Sequence, residues 1–313
     1  MPLDPLVKAF LDRAAAIPRP KAWDVPPAIT RQSFAGMMQL TAAKDVAVGK
    51  IDNFTIPGPG GALKTRSYAP IAASGPLPAL IYFHGGGFVA GSLESHDGLC
   101  RLFAAEGGFK VIAVDYRLAP ENVWPAAMDD AWAATLWIEQ NATQLGVDAG
   151  RVAVGGDSAG AMLAAIVTQI AKEKGGVKPV YQLLMFPQVQ IGGETSSMHE
   201  FAVGYFLERQ AIEYFNSLYV PPDADRNSPR VSPLKAKDLA GLPPAYVMLG
   251  GYDPLHDEGL AYAEKLRAAG VKVTIADYAE MVHCFIYLQT VLPQAHDAVA
   301  EAAKAVRAAL DAA

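Results

Sequence analysis

At 313 residues the chain is long enough for two domains, or for one large α/β domain carrying an insertion. Apolar residues make up 51% and charged residues 19%, which excludes a disordered or collagen-like chain. Lys and Arg number 26 against 32 Asp and Glu, so the net charge is −6 and no positive field exists to draw a nucleic-acid partner.

The two Cys are too few for a disulfide framework and lack metal-ligand spacing, which points to a reducing, cytoplasmic setting. No segment reaches the ~18 consecutive apolar residues a membrane span needs; the longest, from Ala159 to Ile170, is broken by Gly160, Thr168 and Gln169.

In chain order, Leu3, Leu6, Val7, Phe10 and Leu11 fall at i, i+3, i+4, i+7 and i+8, one apolar stripe of a helix. Asp4 suits the cap of that helix and Pro5 its first position, while Asp4, Lys8, Asp12 and Arg13 break the apolar core that a signal peptide needs. Strand-like patterns follow over Lys50–Ile56 and Leu63–Tyr68, separated by the turn residues Pro57–Gly61. Ala79–Phe83 and Val111–Val114 are short continuous apolar runs, as in strands buried on both faces. A helix over Ala126–Leu145, a strand over Arg151–Gly155, a helix over Ala159–Lys174 and a strand over Val180–Phe186 come next. The chain closes with strand Ala245–Leu249, helix Glu258–Ala269, strand Lys272–Ile275 and helix Gln294–Ala312. Strands alternating with helices require right-handed crossovers and a mostly parallel sheet, with the first strands as an antiparallel edge.

Residues 1–48 and 188–235 stand outside this alternation. The first region is helical and amphipathic but precedes any strand. The second holds Gly192–Gly193, an aromatic-rich helical stretch from Phe201 to Tyr219, and the proline-rich Pro221–Pro233. Both are expected to form a helical cap over the carboxyl edge of the sheet, where open α/β sheets bind ligands. The catalytic domain is then 49–187 with 236–313.

The sharpest motif is Gly156-Asp157-Ser158-Ala159-Gly160, G-x-S-x-G, placed between the strand Val152–Val154 and an apolar helix. A strand–serine–helix junction pushes a hydroxyl out above the sheet, as a nucleophile must be. Read otherwise, it is a glycine-rich turn that only packs. Upstream, His84-Gly85-Gly86-Gly87-Phe88 directly follows a strand and can present backbone N–H groups to a developing oxyanion, together with the N–H of Ala159. A phosphate-cradling loop is the rival reading, but neither G-x-x-x-x-G-K-[ST] nor G-x-G-x-x-G occurs.

A serine nucleophile needs a base and an orienting acid, in the order Ser, acid, His on this type of sheet. After Ser158 the histidines are His199, His256, His283 and His296. His199 falls in the expected cap, His256 reads as a turn residue, His296 as a surface residue of the last helix. His283 sits one short loop beyond a strand at the carboxyl edge and is the best candidate. Asp253 follows the strand Ala245–Leu249 through Gly250-Gly251; alone it would read as a cap or turn residue, but with Ser158 and His283 in order it reads as the acid. Asp277 is the poorer alternative, six residues from His283. Asp157 is expected to bond backbone near the turn, Arg117 and Glu121 to fix a loop. His96 and Asp97 are two ligands without others, hence no metal site. The aromatics Phe201, Tyr205, Phe206, Tyr214 and Phe215 read as core, with some lining an acyl pocket.

HGGGF, the DYRLAPE run Asp115–Glu121, GDSAG, the DPLHDEG run Asp253–Gly259 and His283 together resemble the bacterial hormone-sensitive-lipase-like carboxylesterases, over residues 48 to 312. The resemblance implies an α/β-hydrolase fold: a mostly parallel central sheet flanked by helices, with a helical cap. It implies Ser158 as nucleophile, Asp253 as orienting acid, His283 as base, and Gly86, Gly87 and Ala159 as the oxyanion hole. It implies a small-molecule ester of short to medium chain as substrate, with no metal or organic cofactor and with a homodimer left open. Ala161 departs from the usual GDSAGG, and Cys284 stands where the family reads Gly after the base. A small-molecule receptor on the same fold, or an amidase or peptidase with the same residues, is the alternative.

Overall fold

The computed structural model describes residues 1–313. Two helices come first, α1 (Pro5–Ala16) and α2 (Pro27–Thr41), then the hairpin β1 (Lys50–Gly58) and β2 (Gly61–Ala69). The alternating part runs β3 (Leu77–Phe83), α3 (Asp97–Gly107), β4 (Lys110–Asp115), α4 (Ala126–Gln140), β5 (Val147–Asp157), α5 (Ala159–Lys174) and β6 (Tyr181–Met185). After α6 (Ser196–Glu200) and α7 (Arg209–Tyr219) the chain resumes β7 (Ala245–Tyr252), α8 (His256–Ala268), β8 (Val273–Val282) and α9 (Pro293–Asp311). The eight strands form one sheet in the order β1-β2-β4-β3-β5-β6-β7-β8. The β1–β2 and β2–β4 pairs are antiparallel and all the others parallel, as expected from the sequence. No helix is long and apolar enough to cross a membrane.

Strand pleating builds the core on both faces, because successive side chains point to opposite sides. In β3, Ala79, Ile81 and Phe83 enter the layer packed by α4 and α5, while Leu80 and Tyr82 enter the layer packed by α3 and α9. Burial on both faces explains why this strand reads as an unbroken apolar run rather than an alternating one.

Several boundaries differ from expectation. Residues 85–110, where the sequence pattern predicts no helix, hold α3, because parallel β3 and β4 need a crossover. The helical stretch from Phe201 to Tyr219 is broken: α6 ends before it and α7 begins only at Arg209, with Gly204 and Phe206 at φ 91° and 73° between them. The helix expected over Ala126–Leu145 stops at Gln140. The last strand, expected over Lys272–Ile275, runs on to Val282 and so carries Asp277 in its middle. In α1, Asp4 does cap the helix, accepting from Leu6 and Val7 N–H at 2.7 and 3.3 Å, but of the apolar stripe Val7 is fully buried and Leu6 faces solvent. Late in the 188–235 segment, Val220 and Val231 join the core beneath α4 and α5.

Candidate active site

β5 ends at Asp157 and α5 begins at Ala159, so Ser158 alone makes the turn. Its φ of 53° and ψ of −117° cost a non-glycine residue about 1–3 kcal/mol, and the strain turns its side chain out of the sheet. The Ser158 N–H donates to the Met185 carbonyl at 2.8 Å, pinning the turn to the end of β6. A Cβ on Gly156 or Gly160 would strike the carbonyl oxygen of Phe83, so close approach requires glycine at both positions. Ala161 lies buried in α5 without a positive φ, so Gly is not needed there.

Strand register brings distant residues to this turn. Tyr252 of β7 pairs with Val282 of β8, and the next residues are Asp253 and His283. Both are buried; Asp253 Oδ2 lies 2.7 Å from His283 Nδ1, and His283 Nε2 lies 3.1 Å from Ser158 Oγ. Asp253 Oδ1 accepts from the Leu255 N–H at 2.8 Å, which fixes the carboxylate, and the Phe186 ring meets the imidazole edge-on at 5.7 Å. An imidazole with an acid on Nδ1 presents Nε2 as the proton acceptor for the hydroxyl.

On the other side of β5, Phe83 of β3 pairs with Gly156, so the His84–Gly87 loop leaves the sheet beside Asp157 and Ser158. Gly86 stands at φ 120° and Gly87 at φ 62°, and neither N–H donates to a protein acceptor. Ala159 is the first residue of α5, where N–H groups have no partner within the helix. Gly86 and Gly87 line the same cavity as Ser158, and Ala159 follows it directly in the chain.

Asp157 does more than expected from the sequence. It accepts the Gly85 N–H at 3.1 Å, anchoring the glycine loop, and also takes the hydroxyls of Tyr82 and Tyr287. His96 Nε2 lies 3.6 Å from it and 3.2 Å from the Tyr287 hydroxyl. Burial raises the Asp157 carboxyl, but His96 and the two tyrosine hydroxyls outweigh burial and hold it below the usual carboxylate range. Burial, aided by His96, pushes His84 down to about 3, so it is a neutral ring stacked at 4.3 Å on Tyr116. Residues so far apart in sequence gave no local signal of this network.

Above Ser158 opens a cavity of about 510 Å³, reached by Gly86, Gly87, Ser158, Gln188 and His283 from the sheet edge. Its apolar wall comes from α1 and α2 (Leu11, Phe34, Met37) and from the 206–215 region (Phe206, Ile212, Phe215). Phe206 and Phe215 therefore line the cavity, as some of the aromatics were expected to do. The loop residues act as read: Arg117 binds Asp130 through Nε and Nη2 at 2.8 Å each, and Glu121 holds Arg31 of α2.

The rejected histidines lie elsewhere. His256 opens α8 and bonds Asp277 at 3.2 Å, so neither reaches Ser158; His199 and His296 pair with Glu194 and Glu106 at the surface. Asp97 pairs with Arg66 and Arg101, and no cluster of His, Cys, Asp or Glu forms a metal cage. Cys284 adopts φ 52°, the left-handed conformation that Gly takes most readily, at the position where the resemblance leads one to expect Gly. Burial keeps its thiol well above the usual value, hence protonated. One buried acid escaped the sequence reading: Glu258 Oε1 accepts the N–H groups of Val189 and Gln190 at 2.7 and 3.2 Å, tying α8 to the segment that leaves β6.

The family model described as alpha/beta hydrolase fold matches residues 80–287. The esterase LipI of Mycobacterium tuberculosis is 42% identical over 264 residues, covering 83% of this chain and 82% of LipI. The carboxylic ester hydrolase LipN of the same organism is 43% identical over 244 residues, which span 76% of this chain and 65% of LipN. Among solved structures, an ester-hydrolase from the Lake Arreo metagenome in complex with a bipyridine phosphonate derivative superposes with a TM-score of 0.95, at 42% identity and 98% coverage of both chains. With register, turn and sequence in agreement, the chain belongs to the hormone-sensitive-lipase-like carboxylesterases of the α/β-hydrolase family.

Proposed function

We propose that this protein is a serine carboxylesterase acting on short- to medium-chain esters, with Ser158 as nucleophile, His283 as base and Asp253 as orienting acid. The observation that carries this reading is the continuous chain Asp253–His283–Ser158, at 2.7 and 3.1 Å, opening into a cavity of about 510 Å³. His283 Nε2 takes the Ser158 proton as Oγ attacks the ester carbonyl, and the N–H groups of Gly86, Gly87 and Ala159 receive the charge that develops on oxygen. The proton then passes from His283 to the departing alcohol. Water, deprotonated by the same imidazole, hydrolyses the acyl-enzyme. The names of LipI, LipN and the Lake Arreo enzyme support ester over amide chemistry.

The helices of 1–48 and 188–235 act as the cap in this reading, since Leu11, Phe34, Ile212 and Phe215 wall the cavity. Two unpaired, buried cysteines fit a reducing compartment such as the cytoplasm. A series of p-nitrophenyl esters from acetate to dodecanoate tests the reading: turnover peaks at short to medium chains in the wild type and disappears in Ser158→Ala. Equal turnover in that variant overturns it.

A further inference from the structure

The wall of the cavity next to Ser158 carries one amide, Gln188. Its backbone N–H lies 3.4 Å from the Ser158 carbonyl, which places it directly beside the nucleophile, and the residue is only 5% exposed. The same cavity is lined mainly by apolar residues, among them Ile212, Phe215 and Leu255, with Thr30, Ser33 and Tyr287 as further hydroxyl-bearing side chains. Of the charged lining residues, Arg19 and Lys21 stand exposed and Glu208 is half-buried and paired with Lys21.

A Gln at such a position has two N–H donors and a carbonyl acceptor to satisfy. Nε2 donates to Asn216 Oδ1 of α7 at 3.1 Å, and Asn216 is itself buried, so the amide plane is held from one side. Oε1 accepts nothing from the protein, yet it is not among the side-chain atoms sealed from solvent. With the residue otherwise buried, the opening that reaches it is the cavity. A fixed acceptor facing an apolar site favours a ligand that brings a donor, because a purely apolar group would strip the oxygen of water and return nothing.

We propose that Gln188 is a specificity-determining residue whose Oε1 accepts a hydrogen bond from a substrate hydroxyl, so that the favoured esters carry a hydroxyl near the ester group. This rests on the esterase reading above and refines its substrate class. The hydroxyl can belong to the acyl part or to the alcohol part, and two matched pairs separate them. Ethyl 3-hydroxybutyrate is compared with ethyl 3-methylbutyrate, in which a methyl replaces the hydroxyl. For the alcohol side, 2-hydroxyethyl butyrate is compared with propyl butyrate.

The wild type is expected to prefer the hydroxylated member of one pair by about 5- to 10-fold in kcat/KM, the worth of one neutral hydrogen bond. In Gln188→Met, of similar length but without an acceptor, that ratio is expected to fall to about one or below. Asn216→Asp can only accept from Gln188, which locks Oε1 toward the cavity, so the ratio is expected to persist. The inference is overturned if the wild type shows no preference in either pair, or if the ratio is unchanged in Gln188→Met. It is equally overturned if Asn216→Asp abolishes the preference, since the amide would then face the cavity with its donors. The wild-type ratios decide by themselves should a variant fail to fold. Absence of turnover on all four esters would instead overturn the esterase reading, and this inference with it.

Discussion

Replacing Asp157 by Asn tests whether the glycine loop is held in place by a buried charge. Asp157 is fully buried and accepts three hydrogen bonds, from Gly85 N–H and from the Tyr82 and Tyr287 hydroxyls. Hydrogen bonds to a charged group contribute about 1.5–3 kcal/mol and neutral ones about 0.5–1.5, so neutralising the acceptor weakens three bonds by about 1 kcal/mol each. Asn also turns an N–H₂ toward one of the donors. Asp157→Asn should therefore destabilise the fold by about 3 kcal/mol. Unfolding entropy of about 2.1 cal/mol/K per residue over 313 residues converts this to a Tm lower by about 4–5 °C. The Gly85 N–H is the anchor immediately before Gly86 and Gly87, so the same change should misplace the oxyanion donors. Because that interaction is made only in the transition state, kcat and kcat/KM should fall together, by about 10-fold or more, with KM little changed. Calorimetry and steady-state kinetics on p-nitrophenyl butyrate read both effects. A Tm within 1 °C of wild type, in the company of unchanged kcat, would refute the argument. A rise in KM alone would refute the claim that the loop serves the transition state.

Glu258 predicts a pH dependence. Burial, opposed by the Val189 and Gln190 N–H groups, raises its pKa from 4.5 to about 8, so the folded protein holds a proton that the unfolded chain has released. Stability from this group therefore falls as pH climbs from 4.5 to about 8 and is flat beyond. Glu258→Gln does not titrate and should gain on the wild type through that window; urea unfolding at pH 5 and pH 8.5 should show the difference, and parallel curves would contradict it. Gly87→Ala should lower kcat by about 10- to 100-fold, because φ is 62° and a Cβ there would lie 2.6 Å from the Phe215 ring, displacing an oxyanion donor. An unchanged kcat would remove Gly87 from that role.

The parts of the fold legible in the sequence were those whose signal is local. β3 and β4 read as short apolar runs because both of their faces are buried, and the runs Ala79–Phe83 and Val111–Val114 lie within two residues of the observed strands. The hairpin β1–β2 was legible from Pro57–Gly61. α3 was readable too: Leu99, Leu102 and Phe103 have helical spacing, and the parallel β3–β4 pair demands a crossover there. β8 was cut short because Asp277 and Glu280 look like loop residues, although on an edge strand they can face solvent.

For the candidate site, the meeting of Ser158, Asp253 and His283 was legible because chain order and strand ends constrain them jointly. The network on Asp157 was not. Tyr82 and Tyr287 lie 75 and 130 residues from it, and only the β3–β5 register and the turn after β8 bring them together. Gln188 gave no signal for the same reason: its meaning depends on Asn216 and on the cavity, which exist only in the folded chain.

The central claim is that Ser158 is the group that becomes acylated. A fluorophosphonate, which phosphonylates an activated serine, tests it most directly when the intact mass and the labelled peptide are read beside residual activity. One phosphonyl group per chain on the peptide containing Gly156–Gly160, with activity lost in proportion to labelling and no label in Ser158→Ala, is the predicted result. Label on a different serine, or ester turnover persisting in the fully labelled protein, would contradict the account.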